Sequence, residues 1–374
     1  MKVTKDTLKL KTIFGQIADF RRQHLQLYSL ESILVTGIIS VLCGAESWNE
    51  MQIYAESKEE FLKTFLDLDN GIPSHDTFNR VFSNIDSHQF ETCFTNWVSS
   101  LAELEPREVI AIDGKTIKGA KAGGKKSSVH MVSAWASANN LVLGQVKTDE
   151  KSNEITAIPE LLGSLSLKDT IVTMDAMGCQ KEIATLVRKK EADYILAVKG
   201  NQASLHQDII DEFQVQQKMD THKDVDIGHG RIETRVCSII KDLEFIADSA
   251  SWKDISTIIK LDSKREFKNS DKPDQTATRY YISSLMASAE DFQKAIRSHW
   301  SIENKLHWML DVAFGEDASR KRTQNAAQNF SMLNKIALTL LKKEKSVKLG
   351  VKGRRLKSGW DNHYLIKVLS HLKV

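Results

Sequence analysis

EVIAIDGKTIKG, residues 108–119, opens as a run of β-branched and small apolar residues and turns acidic at Asp113. An apolar run without polar alternation reads as a strand covered on both faces. Two more strand-like runs follow, VHMVSAWAS (129–137) and NLVLGQVKT (140–148), separated by the turn-like Ala138-Asn139-Asn140. EITAIPELLGSL (154–165) reads as a helix. DTIVTMDAMG (169–178) is a second buried strand that ends on an acid, Asp175. QKEIATLVRKKE (180–191) is helical, with Ile183, Leu186 and Val187 apolar, and DYILAVKGNQ (193–202) is a fifth strand closing on Lys199-Gly200-Asn201. Three strands, a helix, a strand, a helix and a strand predict an α/β fold. Its sheet is mixed, with the first three strands antiparallel and the later ones parallel.

Upstream of this core the pattern is helical. SLESILVTGIISVLCG (29–44) is apolar without alternation, and EEFLKTFLDL (59–68) is amphipathic. In IPSHDTFNRVFSNID (72–86), Pro73 breaks the chain, Ser74 or Asp76 can cap a helix, and Phe78, Val81 and Phe82 follow at helical spacing. Two readings stand for this segment: a DNA-binding helical unit, with Arg80 as its base-reading side chain, or a helical bundle that packs on the next domain. Downstream, RIETRVCSII (231–240), ISTIIKLDSKRE (255–266) and TATRYYISSL (276–285) read as strands of a mostly β insertion. FQKAIRSHWSIENKLHWMLDVAF (292–314) then returns to helical periodicity. From Lys342 to Val374 there are ten Lys or Arg against Glu344 and Asp361, a strongly basic tail.

The 374 residues suggest two or three domains at about 150 residues each. A hydrophobic share of 41% is enough for real cores, which excludes a disordered chain. The net charge of +3 permits a nucleic-acid partner without demanding one. Cys43, Cys93, Cys179 and Cys237 form no CxxC pair, so neither a disulfide framework nor a zinc ribbon is expected, and a cytoplasmic protein fits best. The apolar run from Ile33 to Cys43 is short of the roughly 20 residues that span a bilayer, so no membrane partner is expected.

Asp113 and Asp175 each follow an apolar strand and precede a small residue, Gly114 or Ala176. A carboxylate there is costly to desolvate unless it is paired or binds a cation, and strand ends of open α/β sheets are where ligands collect. The plain alternatives are an Asp-Gly turn at Asp113 and a helix cap at Asp175. A third acid comes from HWSIENKLHWMLD (299–311). On a helix, Ile302, Leu306, Met309 and Leu310 share a face, with Glu303 at its edge; His299, Glu303 and His307 form a row at i, i+4, i+8. The metalloprotease pattern, two His at i, i+4 with Glu beside the first, is absent. Trp300 and Trp308 have two readings, core packing or stacking on DNA bases. Three carboxylates are a hard oxygen set that suits Mg²⁺ or Mn²⁺, and two such ions can drive phosphodiester chemistry. Lys115, Lys118 and the run Lys125-Lys126 are candidates to hold a DNA backbone, with a solvated loop as the alternative.

At these residues the sequence resembles the H-repeat-associated insertion-sequence transposases. The resemblance rests on DGKTIKGA (113–120), DAMGCQKEIA (175–184), YILAVKGNQ (194–202) and HWSIENKLHWMLDVAFGEDASRKR (299–322). It extends to IPSHDTFNRVF (72–82). It implies an RNase H-like catalytic domain with a DDE triad, carried over as Asp113, Asp175 and Glu303, and a β-rich insertion before the last catalytic helix. Asp311, Glu316 and Asp317 lie near enough that helical spacing alone does not single out Glu303. Related transposases carry Tyr, Arg and Lys around the catalytic Glu. Here those places hold Ile296, His299 and Leu310, which leaves His299, Asn304 and Lys321 as substitutes. Lys199, Asn201, Trp300 and His307 complete the candidate DNA contacts.

The implied organisation is a helical, DNA-binding domain over 1–105 and an RNase H-like domain in two parts, 106–203 and 289–340. The insertion lies between these parts, over 204–288, and the basic tail follows over 341–374. The implied activity is metal-dependent strand cleavage followed by 3′-hydroxyl strand transfer. It would use two Mg²⁺ or Mn²⁺ ions and act on double-stranded DNA as a homodimer, in association with the nucleoid. An RNase H-like nuclease without strand transfer and a non-catalytic DNA-binding protein are the alternatives.

Overall fold

The computed structural model describes residues 13–120, 128–148, 154–228, 230–268 and 272–372. β1 (Val109–Ile117), β2 (Val129–Ala136) and β3 (Leu141–Lys147) form an antiparallel meander. β4 (Ile171–Met174) and β5 (Asp193–Val198) join β1 in parallel. These are the five strands, with the directions, that the apolar runs predict, and the fold is the expected mixed α/β sheet flanked by helices. β6 (Asp220–Gly228), β7 (Arg231–Ile240), β8 (Thr257–Phe267) and β9 (Gln275–Ser283) follow. β9 pairs antiparallel with β5, so the inserted strands extend one nine-stranded sheet in the order β3-β2-β1-β4-β5-β9-β8-β7-β6. The edge strand β6 has no counterpart among the expected strands. DTHKDVDIG is polar and mostly exposed, so no hydrophobic face marks it.

Alternation turns Val109, Ala111, Asp113 and Lys115 to one face of β1 and Ile110 and Ile112 to the other. Ile110 and Ile112 belong to a large core that includes α6 (Glu154–Ser164), α7 (Lys181–Lys189) and the N-terminal helices. On the Asp113 face, Val109, Ile171 and Ile195 pack with Phe292 and Ile296 of α9 (Ala289–His299). Cys237 and Ile259 of the inserted strands join the same cluster. α9 therefore rests on the sheet across both its original and its inserted strands. A reciprocal capping box between Ser288 and Asp291 starts α9.

The apolar run of the N-terminal part is the buried helix α1 (Leu30–Leu42). Ser74 caps α4 (His75–Asn84) by accepting the Thr77 N–H, and Asp86 caps α5 (Ser87–Leu101). These helices surround α11 (Ala326–Lys343), which is buried from Ala326 to Leu341. α2 (Trp48–Ser57) and α3 (Glu59–Lys63) complete this helical part, and α8 (Ala203–Val215) leads into β6. The basic C-terminal stretch is helical: α12 (Val351–Trp360) and α13 (Asn362–Leu369). Tyr364, Leu365, Val368 and Leu369 recur at helical spacing and are buried, which anchors the segment despite its charge. Among the described residues, no helix is long and apolar enough to cross a membrane.

Candidate active site

The register Ile112↔Met174 makes Asp113 and Asp175 the next matched positions on adjacent parallel strands. Such strands lie about 4.8 Å apart, and matched residues face the same side. Asp175 is half-buried, and its Oδ1 accepts the Met177 N–H at 2.9 Å, capping the 3₁₀ turn Ala176–Gly178. The loop after β5 braces that turn. Asn201 Nδ2 donates to Ala176 O at 2.7 Å, and Gln202 Nε2 donates to Cys179 O at 2.9 Å.

The third carboxylate arrives on a helix with a local irregularity. After α9 and Trp300 the chain makes a π turn, Glu303–His307, before α10 (Trp308–Phe314). Its signature is the Trp308 N–H bonding to Glu303 O, five residues back. Ile302, Leu306 and Leu310 are all fully buried, at spacings of four. In a regular α-helix each such step drifts by about 40° around the axis. The wider π turn absorbs the drift, keeping that row on the core and the row His299, Glu303, His307 on the sheet side. His299 Nδ1 lies 2.9 Å from Thr173 Oγ1, on β4 two residues before Asp175, and burial pushes its pKa down to about 4. Trp135 Nε1 donates to Ser301 Oγ at 3.1 Å, a second tie to the sheet. Gly315, with φ of 61°, ends α10 in the left-handed conformation that glycine adopts without strain.

Asp113, Glu303 and His307 converge: one donor atom from each lies within 4.8 Å of the others. His307 Nδ1 is 3.4 Å from Glu303 Oε2 and 3.7 Å from Asp113 Oδ2. Burial pushes the Asp113 carboxyl up to about 7, with His307 opposing. His307 holds Glu303, which is half exposed, below the usual carboxylate range. On the opposite face of β1 lies a pair that the motifs gave no signal for. His130 and Glu154 lie 2.7 Å apart, and a Cβ at Gly114 would overlap both, so a larger residue after Asp113 would displace this pair.

Several cations expected to hold DNA have partners inside the protein. Lys115 pairs with Asp311 at 2.7 Å, Asp317 at 2.9 Å and Glu316 at 3.4 Å. Burial opposes its charge, but the three carboxylates outweigh it and hold Lys115 above the usual lysine range. These pairs bind the strand of Asp113 to the helix of Glu303, since Asp311 lies on α10. Replacing Lys115 with Met should lower the unfolding free energy by about 2 kcal/mol, reduced from the fully buried case because Asp311 and Asp317 are partly solvated. Urea titration measures this, and Lys115→Arg should recover part of the loss. Lys321 is buried, donates to Glu46 O at 2.6 Å and lies over the Phe330 ring; burial pushes its pKa down to about 8.

Other candidates remain open to solvent. Arg80 and Lys199 are exposed, and Lys118 pairs with Asp317 at 2.7 Å while remaining exposed. Asn304 is exposed and bonds Trp300 O at 3.3 Å. Trp300 and Trp308 are 45% and 54% exposed, so neither is a core residue; the Arg279 guanidinium lies over the Trp300 ring at 4.9 Å. Lys125 and Lys126 fall outside the described residues. Behind the Glu303 helix lies a cavity of about 430 Å³ lined by Lys305, Lys342, Lys343, Lys345 and Arg354, with no acidic side chain among the described residues that line it. Lys342 Nζ donates to Lys305 O at 2.7 Å, and burial pushes its pKa down to about 7.

Residues 104–340 match the family described as Transposase DDE domain, and residues 11–98 match the family described as DDE_Tnp_1-associated. The chain is 45% identical to "Putative transposase YncI" of Escherichia coli O157:H7, over 95% of this chain and 92% of that protein. It is 40% identical to "H repeat-associated putative transposase YhhI" of Escherichia coli strain K12, over 97% and 98% respectively. Among solved structures, a piggyBac transposase in a synaptic complex with hairpin DNA is similar at 11% identity and a TM-score of 0.43, covering 98% of this chain and 78% of that one. A match over residues 104–340, with relatives aligned along nearly the whole chain, places this protein in the DDE transposase family.

Proposed function

We propose that the protein is a DNA transposase that cleaves DNA and joins the freed 3′-hydroxyl to a target, with Asp113, Asp175 and Glu303 as its catalytic, metal-holding triad. The supporting observation is the convergence of Asp113 and Glu303, with His307, within 4.8 Å; Asp175 is outside that cluster and enters the triad because it follows Met174, the strand partner of Ile112. The donor set fits a divalent cation such as Mg²⁺ or Mn²⁺. Oxygen ligands dominate, and burial, opposed by His307, pushes the Asp113 carboxyl up to about 7, a shift that a bound cation would offset. Bound there, two such ions would activate the attacking oxygen and neutralise charge on the scissile phosphate.

The chain's own residues supply grip and position. The basic cavity beside Lys305 suits backbone phosphates, and Lys199, Asn304, Trp300 and Trp308 stand exposed to contact DNA. Pairing two element ends calls for a homodimer on double-stranded DNA, working at the nucleoid. The test uses labelled duplexes carrying the genomic DNA that flanks the gene, a supercoiled plasmid as target, and Mg²⁺ or EDTA. Nicked and joined products in Mg²⁺, both absent in EDTA, support the reading. Nicking without joining of pre-nicked ends would leave a nuclease. DNA binding without cleavage in Mg²⁺ would leave a non-catalytic binder.

A further inference from the structure

We propose that His307 is a metal ligand, so that one ion sits between Asp113, Glu303 and the imidazole Nδ1 in a nitrogen-containing set that prefers Mn²⁺ to Mg²⁺. This rests on the preceding reading that the carboxylates hold a divalent cation, and it goes beyond a purely oxygen triad.

The Nδ1 of His307 faces both carboxylates at distances that a shared ion would also give. Its Nδ1 lies 3.4 Å from Glu303 Oε2 and 3.7 Å from Asp113 Oδ2. A well-formed N–H···O bond is nearer to about 2.9 Å. Two donors that share one ion at about 2.0–2.2 Å each are separated by roughly 3–3.6 Å, and the observed distances lie near that range. The ring is 4% exposed, and its Nε2 is buried with no hydrogen-bond partner among the described residues. Burial holds the ring with Nδ1, the proposed ligand atom, turned to the two carboxylates. The π turn strengthens the case, because it aligns His307 with Glu303 instead of letting it rotate away.

Imidazole nitrogen is a softer donor than carboxylate. Mn²⁺ accepts a mixed nitrogen and oxygen set, whereas Mg²⁺ favours oxygen and retains water. The full-length protein, stripped with EDTA and loaded with Mn²⁺, should show ¹⁴N modulation in pulsed electron paramagnetic resonance. His307→Gln should lose that signal and bind Mn²⁺ about 10–100-fold more weakly by titration calorimetry, with a smaller change for Mg²⁺. His299→Gln should keep the signal, because that ring faces Thr173. The wild-type spectrum decides the matter even if His307→Gln folds poorly. Mn²⁺ bound without nitrogen coupling overturns the proposal and leaves the carboxylate site standing. A wild-type protein that binds no Mn²⁺ overturns both.

Discussion

Asp113→Asn should reduce metal-dependent DNA cleavage by about 10³-fold or more, because several kcal/mol of transition-state stabilisation leave with one anionic ligand. The substitution keeps the shape and removes the charge, so DNA binding should be largely retained. Stability should move the other way. In the absence of metal, burial pushes the Asp113 carboxyl up to about 7. A carboxyl raised on folding favours the protonated folded state, so its contribution to stability is greatest at low pH and declines as pH rises through about 7. Asparagine cannot ionise. In EDTA at pH 8 the variant should therefore resist urea better than wild type, and the gap should close at acid pH. A variant both inactive and less stable at pH 8 would show Asp113 to be a structural group. Asp175→Asn should lose cleavage to a similar degree, since an asparagine Oδ1 can still accept the Met177 N–H.

The two strand-end acids are legible without a structure, because a buried apolar strand that ends on a carboxylate is a local anomaly. Glu303 is not legible in the same way. Asp311, Glu316 and Asp317 compete with it, and spacing cannot separate them because the π turn shifts the phase of the helix just where the question arises. The structure separates them by partner: Asp311, Glu316 and Asp317 all face Lys115, whereas Glu303 faces Asp113 and His307. The partners of Lys115 and Lys321 are not legible for a related reason, since a sequence gives the sign of a charge and not the carboxylates or carbonyls around it. β6 escaped because hydrophobic patterning marks a strand only where one face is buried.

Arg355 carries the largest expected effect on stability and decides what the basic C-terminal segment is for. It is 4% exposed. Its guanidinium donates to Val41 O at 2.8 Å, Ala45 O at 2.9 Å and Ala313 O, and pairs with Glu46 at 2.9 Å. It also lies over the Phe314 ring at 4.5 Å. Val41 lies in the last turn of α1, Ala45 just beyond it and Ala313 in the last turn of α10, so one cation ties the carbonyls of two helix ends together. Arg355→Met should cost about 3–5 kcal/mol in urea unfolding, because buried carbonyls lose their donor and Glu46 loses its cation. Lysine offers a point charge in place of a planar fork and should restore only part of that. Exposed Lys352→Ala should stay within about 0.5 kcal/mol of wild type and weaken only salt-dependent DNA binding. Ala313 ends the helix run that also carries Glu303, so loss of Arg355 should lower cleavage as well. If Arg355→Met costs under about 1 kcal/mol, the C-terminal helices are not a structural anchor, and Lys115 must hold that helix to the sheet largely without them.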